Sequence, residues 1–164
     1  MISVPQLPRK LLTLAFIVRN RSAGHDAHQV LLGFKKRGFG LGKWNGFGGK
    51  VEPTDVSIAA AAVREVKEEV NVHIKLEDLQ PRGVLLFSFE EGKNVLRFSG
   101  EPSESEEMRP HWYELSNIPF ANMWADDRFW LPHVLSGKSV QGHFHFAADE
   151  DTLLDHKFEV FVSQ

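Results

Sequence analysis

Gly48-Gly49-Lys50-Val51-Glu52-Pro53-Thr54-Asp55 runs into a segment that ends Arg64-Glu65-Val66-Lys67-Glu68-Glu69-Val70-Asn71-Val72. The first part reads as a glycine loop and residues 56–72 as the helix it feeds. At about 100° per residue, Glu65, Glu68 and Glu69 share one face, and Ala59, Val63, Val66 and Val70 line the opposite one. Like charges three and four residues apart repel, so a helix that needs only solubility more often alternates them with lysine. A bound divalent cation would remove that repulsion. Carboxylate oxygens are hard ligands suited to magnesium, with manganese as the alternative, and magnesium commonly takes one or two of them together with waters and substrate phosphates. A phosphorylated substrate is therefore implied. Arg64, one turn before Glu68, is placed to hydrogen-bond a carboxylate and fix its orientation. The competing reading of the same pattern is a solvated acidic helix face.

The loop that precedes the helix favours the first reading. Gly49, Arg64-Glu65, Glu68-Glu69 and the flanking valines resemble the Nudix box, G-x5-E-x7-R-E-U-x-E-E-x-G-U with U aliphatic. Nudix proteins are hydrolases of nucleoside diphosphates linked to another group. The chain departs from the box at three points. Asp55 stands for the first glutamate, one extra residue separates it from Arg64, and Asn71 replaces the second glycine. Asparagine tolerates the left-handed conformation that ends a helix. The extra residue is expected around residues 53–56, where Thr54 or Asp55 would cap the helix.

Composition sets outer bounds. A chain of 164 residues with 42% apolar content suits one domain spanning residues 1–164. A formal charge of -3 and the lack of a basic run argue against a nucleic acid polymer as partner. The absence of cysteine excludes disulfides, thiolate metal sites and cysteine nucleophiles. Neither a signal-peptide pattern at residues 1–10 nor an apolar run long enough to span a bilayer is present, so the expectation is a cytoplasmic protein without a membrane partner, with nucleus or mitochondria also open. Monomer is the default.

Taken in order, Leu11-Leu12-Thr13-Leu14-Ala15-Phe16-Ile17-Val18 is nearly all apolar and predicts a buried central strand, with Thr13 either satisfied in the core or on a pocket wall. Residues 29–35 predict a hairpin partner, and residues 84–89, 94–98, 108–115, 139–146 and 153–162 further strands. Between Lys35 and Lys50, dense glycine lets the backbone approach a ligand closely, and basic and aromatic side chains make the stretch look like a substrate mouth. Trp124-Ala125-Asp126-Asp127 opens a short helix, where the aspartates are either caps or ligand contacts and the aromatics either core or stacking surfaces. His143 and His145 are expected to face solvent; no third ligand cluster supports a zinc site.

The resemblance extends well beyond the box. Residues 35–51, Glu106-Glu107-Met108-Arg109-Pro110, Ile118-Pro119-Phe120 and Met123-Trp124-Ala125-Asp126-Asp127 resemble the Nudix hydrolases of oxidised purine nucleoside triphosphates. It implies an α/β Nudix fold, a mixed β-sheet core sandwiched between helices. It also implies magnesium-dependent hydrolysis of nucleotides such as 8-oxo-dGTP and 2-oxo-dATP to the monophosphate and pyrophosphate. For the site it implies base recognition by Asn45, Trp124, Asp126 and Asp127, with Thr13, Lys35, Phe39, Phe87 and Met108 around the pocket and Phe47, Gly48, Gly49 and Lys50 in the mouth. Catalysis would fall to Arg64, Glu65, Glu68 and Glu69, and metal binding to the Gly48 carbonyl, Glu65, Glu68, Glu69 and Glu107. An aromatic face suits a purine, and an asparagine offers its edge both a donor and an acceptor. Two adjacent carboxyls sharing a proton present both as well. The alternatives are a Nudix hydrolase of other nucleoside diphosphate derivatives and a non-catalytic nucleotide-binding module. Compared with those hydrolases, the stretch between Phe89 and Glu107 is several residues short.

Overall fold

A computed structural model describes residues 10–20, 28–89 and 105–162. Among these residues the strands are β1 (Ile17–Asn20), β2 (His28–Lys35), β3 (Trp44–Asn45), β4 (Gly83–Phe89), β5 (Met108–Glu114), β6 (Ser139–Phe146) and β7 (Leu153–Phe161), and the α-helices are α1 (Ile58–Val70) and α2 (Asp127–Leu135). The strand expected at residues 94–98 lies outside the described residues.

The central strand is β2, not the apolar run before it. On one edge β2 pairs with β5 from Gln29 to Lys35; on the other it pairs with β1 at residues 28–31 and β3 at residues 33–34. All of these pairings are antiparallel. Residues 11–18 instead make isolated bridges, Leu12 to Lys50 and Ala15 to Phe47, and enter β1 only at Ile17. Leu12 is 59% exposed, and Leu11, Leu14 and Val18 are also exposed. An apolar run is consistent with burial but cannot say whether both faces have something to pack against. Here only some positions do, among them Ala15, Phe16 and Ile17.

Alternation along β2 sends its side chains into two cores. Val30 and Leu32 join Met123, Trp130, Leu131, Val140, Phe144 and Phe146 on one face. Leu31 joins Phe47, Val66 and Val70 on the other, so α1 covers one side of this sheet while α2 and the second sheet cover the other. In the second sheet β6 lies between β4, parallel to it, and β7, antiparallel. A parallel pair needs a long crossover, and residues 105–138, with β5 and α2, belong to it. The result is the expected α/β layering, with mixed strand directions confined to the second sheet. Along β6, Phe144 and Phe146 are buried while His143 and His145 are half-buried rather than fully solvent-facing.

Helix α1 begins later than expected. Its cap is Ser57, whose Oγ accepts from the Ala60 amide at 3.0 Å, so neither Thr54 nor Asp55 caps it. The extra residue is absorbed in the turn before the helix, where the Asp55 amide donates to the Glu52 carbonyl at 3.0 Å. The helix ends as expected, on Asn71 in the left-handed region at φ 57°. Its two faces are less separate than the simple wheel suggests. Glu69 lies about 20° from Ala62 on that wheel, and it is only 6% exposed. The third carboxylate thus sits at the border between core and site.

Candidate active site

The glycine loop is held against residues 11–15 by backbone bonds. Thr13 N–H donates to the Gly49 carbonyl at 2.8 Å, and Ala15 and Phe47 exchange bonds at 2.6 and 2.8 Å. In extended backbone a residue's N–H and C=O point to the same side and its neighbours' to the other. Gly48 therefore turns both groups away from residues 11–15. Its amide donates to Glu69 Oε2 at 2.9 Å, which aims its carbonyl to the same side. A Cβ on Gly48 would lie 2.0 Å from the Thr13 carbonyl oxygen, so only glycine fits there, and one on Gly49 would lie 2.6 Å from the Glu65 carboxylate.

Around this loop the acidic side chains fall into two groups, each gathered by a cation. Arg64 donates from Nε and Nη2 to Asp55 at 3.0 and 2.9 Å, and from Nη1 to Glu65 at 2.9 Å and Glu68 at 3.1 Å. Its Nη2 also reaches the Lys50 carbonyl at 3.0 Å. Asp55 thus meets Arg64 despite the extra residue between them, and Arg64 holds its carboxyl below the usual range. The second cation is Lys35, whose Nζ lies 3.5 Å from Glu107 Oε2 and 3.9 Å from Glu69 Oε1. Burial pushes the Glu69 carboxyl up to about 7; Lys35 and the Gly48 amide pull it down, and Glu65 and Glu107 push it further up. Burial likewise raises Glu65, against the pull of Arg64.

Two residues of this cluster were not legible in the motif. Arg37, two residues along from Lys35, donates to Glu107 Oε1 at 3.0 Å and Glu106 Oε2 at 3.1 Å. Ser105 Oγ accepts from the amides of Glu107 and Met108 at 3.1 and 2.8 Å, forming the turn that presents Glu107. The available signal was the basic triplet Lys35-Lys36-Arg37 at the end of β2.

The aromatic residues form a separate group. Phe39 stacks on Trp124 with centroids 4.8 Å apart and planes at 28°. Trp124 also meets Phe146 edge-on at 6.0 Å, and Phe87 on β4 lies 6.4 Å from Phe146. Phe87 is therefore one ring removed from Trp124 and is itself exposed. Asp126 and Asp127 are 1% and 2% exposed, and neither is a simple helix cap. Asp126 Oδ2 accepts from the Trp130 indole at 2.7 Å, and Asp127 Oδ2 accepts from the Trp124 amide at 3.1 Å. Burial raises both carboxyls, and Asp126 pushes Asp127 further, well above the ordinary range.

The remaining expected contacts are more varied. Asn45 Oδ1 accepts from the Gly46 amide at 2.8 Å, which leaves its NH2 group to donate. The Thr13 hydroxyl lies 3.4 Å from the Gly49 carbonyl, beside the loop. Met108 and Phe47 both press on Gly33, and the Phe47 ring is wholly core, with Leu31, Val66 and Val70. The 370 Å³ cavity lined by Leu115, Ile118, Phe120, Pro132, Leu135 and Ser136 contains none of the expected site residues.

Among the described residues, no three carboxylates or imidazoles converge into a ready-made metal cage. Arg64 and Lys35 divide the carboxylates between them instead. The donor set nevertheless suits a hard cation, since it is all oxygen, and magnesium needs only one or two carboxylates when waters and phosphates complete its shell.

Comparison with known proteins places this geometry in a family. The NUDIX domain matches residues 12–134. The chain belongs to the NUDIX family. It is 42% identical over 158 residues to a Danio rerio protein named oxidized purine nucleoside triphosphate hydrolase, covering 92% of this chain and 94% of the relative. A Mus musculus protein of the same name is 46% identical over 136 residues, covering 78% and 85%. NUDIX hydrolases generally use divalent metal ions. Among the described residues no helix is long and apolar enough to cross a membrane.

Proposed function

We propose that this chain hydrolyses oxidised purine (deoxy)nucleoside triphosphates, such as 8-oxo-dGTP and 2-oxo-dATP, to the monophosphate and pyrophosphate, keeping damaged nucleotides from polymerases. The observation that carries the base assignment is the aspartate pair. Two adjacent carboxyls are buried beside Trp124, and burial favours their neutral forms. A carboxyl that keeps its proton donates a hydrogen bond, and its ionised neighbour accepts one. Such a pair matches the altered donor and acceptor pattern of more than one oxidised purine. Trp124 supplies the stacking surface, and the free NH2 group of Asn45 a further donor to the base edge. Phe39, Phe87, Thr13 and Met108 complete the surroundings.

The acidic cluster carries the hydrolysis. Glu65, Glu68, Glu69, Glu107 and the Gly48 carbonyl are the groups that would hold magnesium, with manganese as the alternative. When bound, the metal neutralises phosphate charge and makes water a better nucleophile. Arg64 fixes Glu65 and Glu68, and Lys35 holds Glu69 and Glu107 together at the mouth. A carboxylate of this cluster would accept the proton from water, and Glu69, buried and held by the Gly48 amide at 2.9 Å, is the preferred general base. The nucleotide is the only partner required, and the chain acts as a monomer inside the cell.

The base assignment is tested by comparing 8-oxo-dGTP, 2-oxo-dATP and dGTP as substrates of Asp126→Ala and Asp127→Ala. Loss of discrimination between oxidised and normal bases is expected. Unchanged activity and base preference in both variants would contradict it.

A further inference from the structure

Lys35 and Lys43 stand at the two ends of the turn of residues 36–42, joined by a backbone bond from the Lys35 amide to the Lys43 carbonyl at 2.9 Å. Lys35 faces the acidic cluster. Lys43 faces the aromatic group instead: its Nζ lies 5.2 Å from the centre of the Trp124 ring and 2.5 Å from Asp151 Oδ1. Asp151 belongs to the turn between β6 and β7, which is firmly built. There Asp149 accepts from the amides of Asp151 and Thr152 at 3.0 and 2.8 Å and from the Thr152 hydroxyl at 2.5 Å. Lys43 is thus the link from the turn of residues 36–42, across the Trp124 ring, to the second sheet. Asp151 is 64% exposed, so the ion pair by itself adds little stability. Its position serves orientation rather than folding. A cation over an indole is attracted by the ring's quadrupole and restrains it.

We propose that Lys43 is a positioning residue of the base pocket: anchored by Asp151, it holds the Trp124 ring in register with the turn of residues 36–42 and so governs affinity for the base. The proposal rests on the reading of Trp124 as the base platform. The Lys43 charge also lowers the Asp127 carboxyl against the effect of burial, so the same ammonium bears on both base-contacting groups. The competing role for a lysine here is plain attraction of the triphosphate, which would not depend on Trp124.

The test measures KM and kcat for 8-oxo-dGTP in Lys43→Met, Lys43→Arg and Asp151→Asn, with Lys43→Met repeated in a Trp124→Ala background. Trp124→Leu, which also lacks a ring face, serves the same purpose if Trp124→Ala does not fold. Lys43→Met is expected to raise KM about threefold to fivefold with kcat nearly unchanged. Lys43→Arg should restore KM, and Asp151→Asn should raise it to a smaller extent. In the Trp124 variant, Lys43→Met should add nothing. An equal rise in KM in both backgrounds would overturn the proposal and assign Lys43 to the triphosphate. If the Trp124 variant alone leaves KM unchanged, the platform reading itself fails.

Discussion

Asp127 shows how one residue ties the site to folding. Burial and its neighbour Asp126 raise its carboxyl well above the ordinary aspartate value. Between that ordinary value and the raised one, the folded chain keeps a proton that the unfolded chain has lost. Stability is then full in acid and declines as pH rises through the window. Asp127→Asn removes the decline while retaining an acceptor for the Trp124 amide. The variant should melt higher than the parent at pH 8, and the margin should disappear toward pH 4. Thermal unfolding across that range checks this; a margin that does not change with pH would contradict it. The sequence showed the adjacency of Asp126 and Asp127 but not their burial, because burial depends on α2 packing against β6, distant in the chain.

At the scale of the element, the glycine loop makes two opposed predictions from neighbouring residues. A methyl on Gly48 meets backbone, the Thr13 carbonyl at 2.0 Å, and cannot be accommodated without moving the backbone of residues 13–14. Gly48→Ala should cost about 3 kcal/mol of stability. A methyl on Gly49 meets the end of the flexible Glu65 side chain, which can swing aside. Gly49→Ala should melt near the parent yet lose most of its turnover, because Glu65 leaves its place beside Arg64. Equal melting losses in the two variants would contradict this account of the loop. The loop and the carboxylate spacing of α1 were plain in the sequence because both are local patterns. The helix start was less plain: Thr54, Asp55 and Ser57 all have capping side chains, and the choice follows from Asp55 being taken by Arg64. Burial of residues 11–18 was overestimated for a different reason. Which strand is central depends on how strands far apart in the chain pair, and local hydrophobicity carries no record of that.

Across the whole molecule, the turn of residues 36–42 joins two chemistries. Its Lys35 end faces the carboxylates of α1 and Glu107, and its Lys43 end faces Trp124 beside the buried aspartates. A substrate spanning both would present phosphates to one and a base to the other, the order of groups in a nucleoside triphosphate. The resemblance made the members of this arrangement legible, Lys35 and Arg64 among them, but not the roles of Arg37 and Lys43, which act through distant partners. The most direct measurement is pyrophosphate release with magnesium from 8-oxo-dGTP, 2-oxo-dATP, dGTP and ADP-ribose, run beside Glu69→Gln. The account predicts faster release from the two oxidised purines and a loss on the order of 100-fold or more in the variant. Turnover of dGTP or ADP-ribose in preference to the oxidised purines, or full turnover by Glu69→Gln, would contradict it.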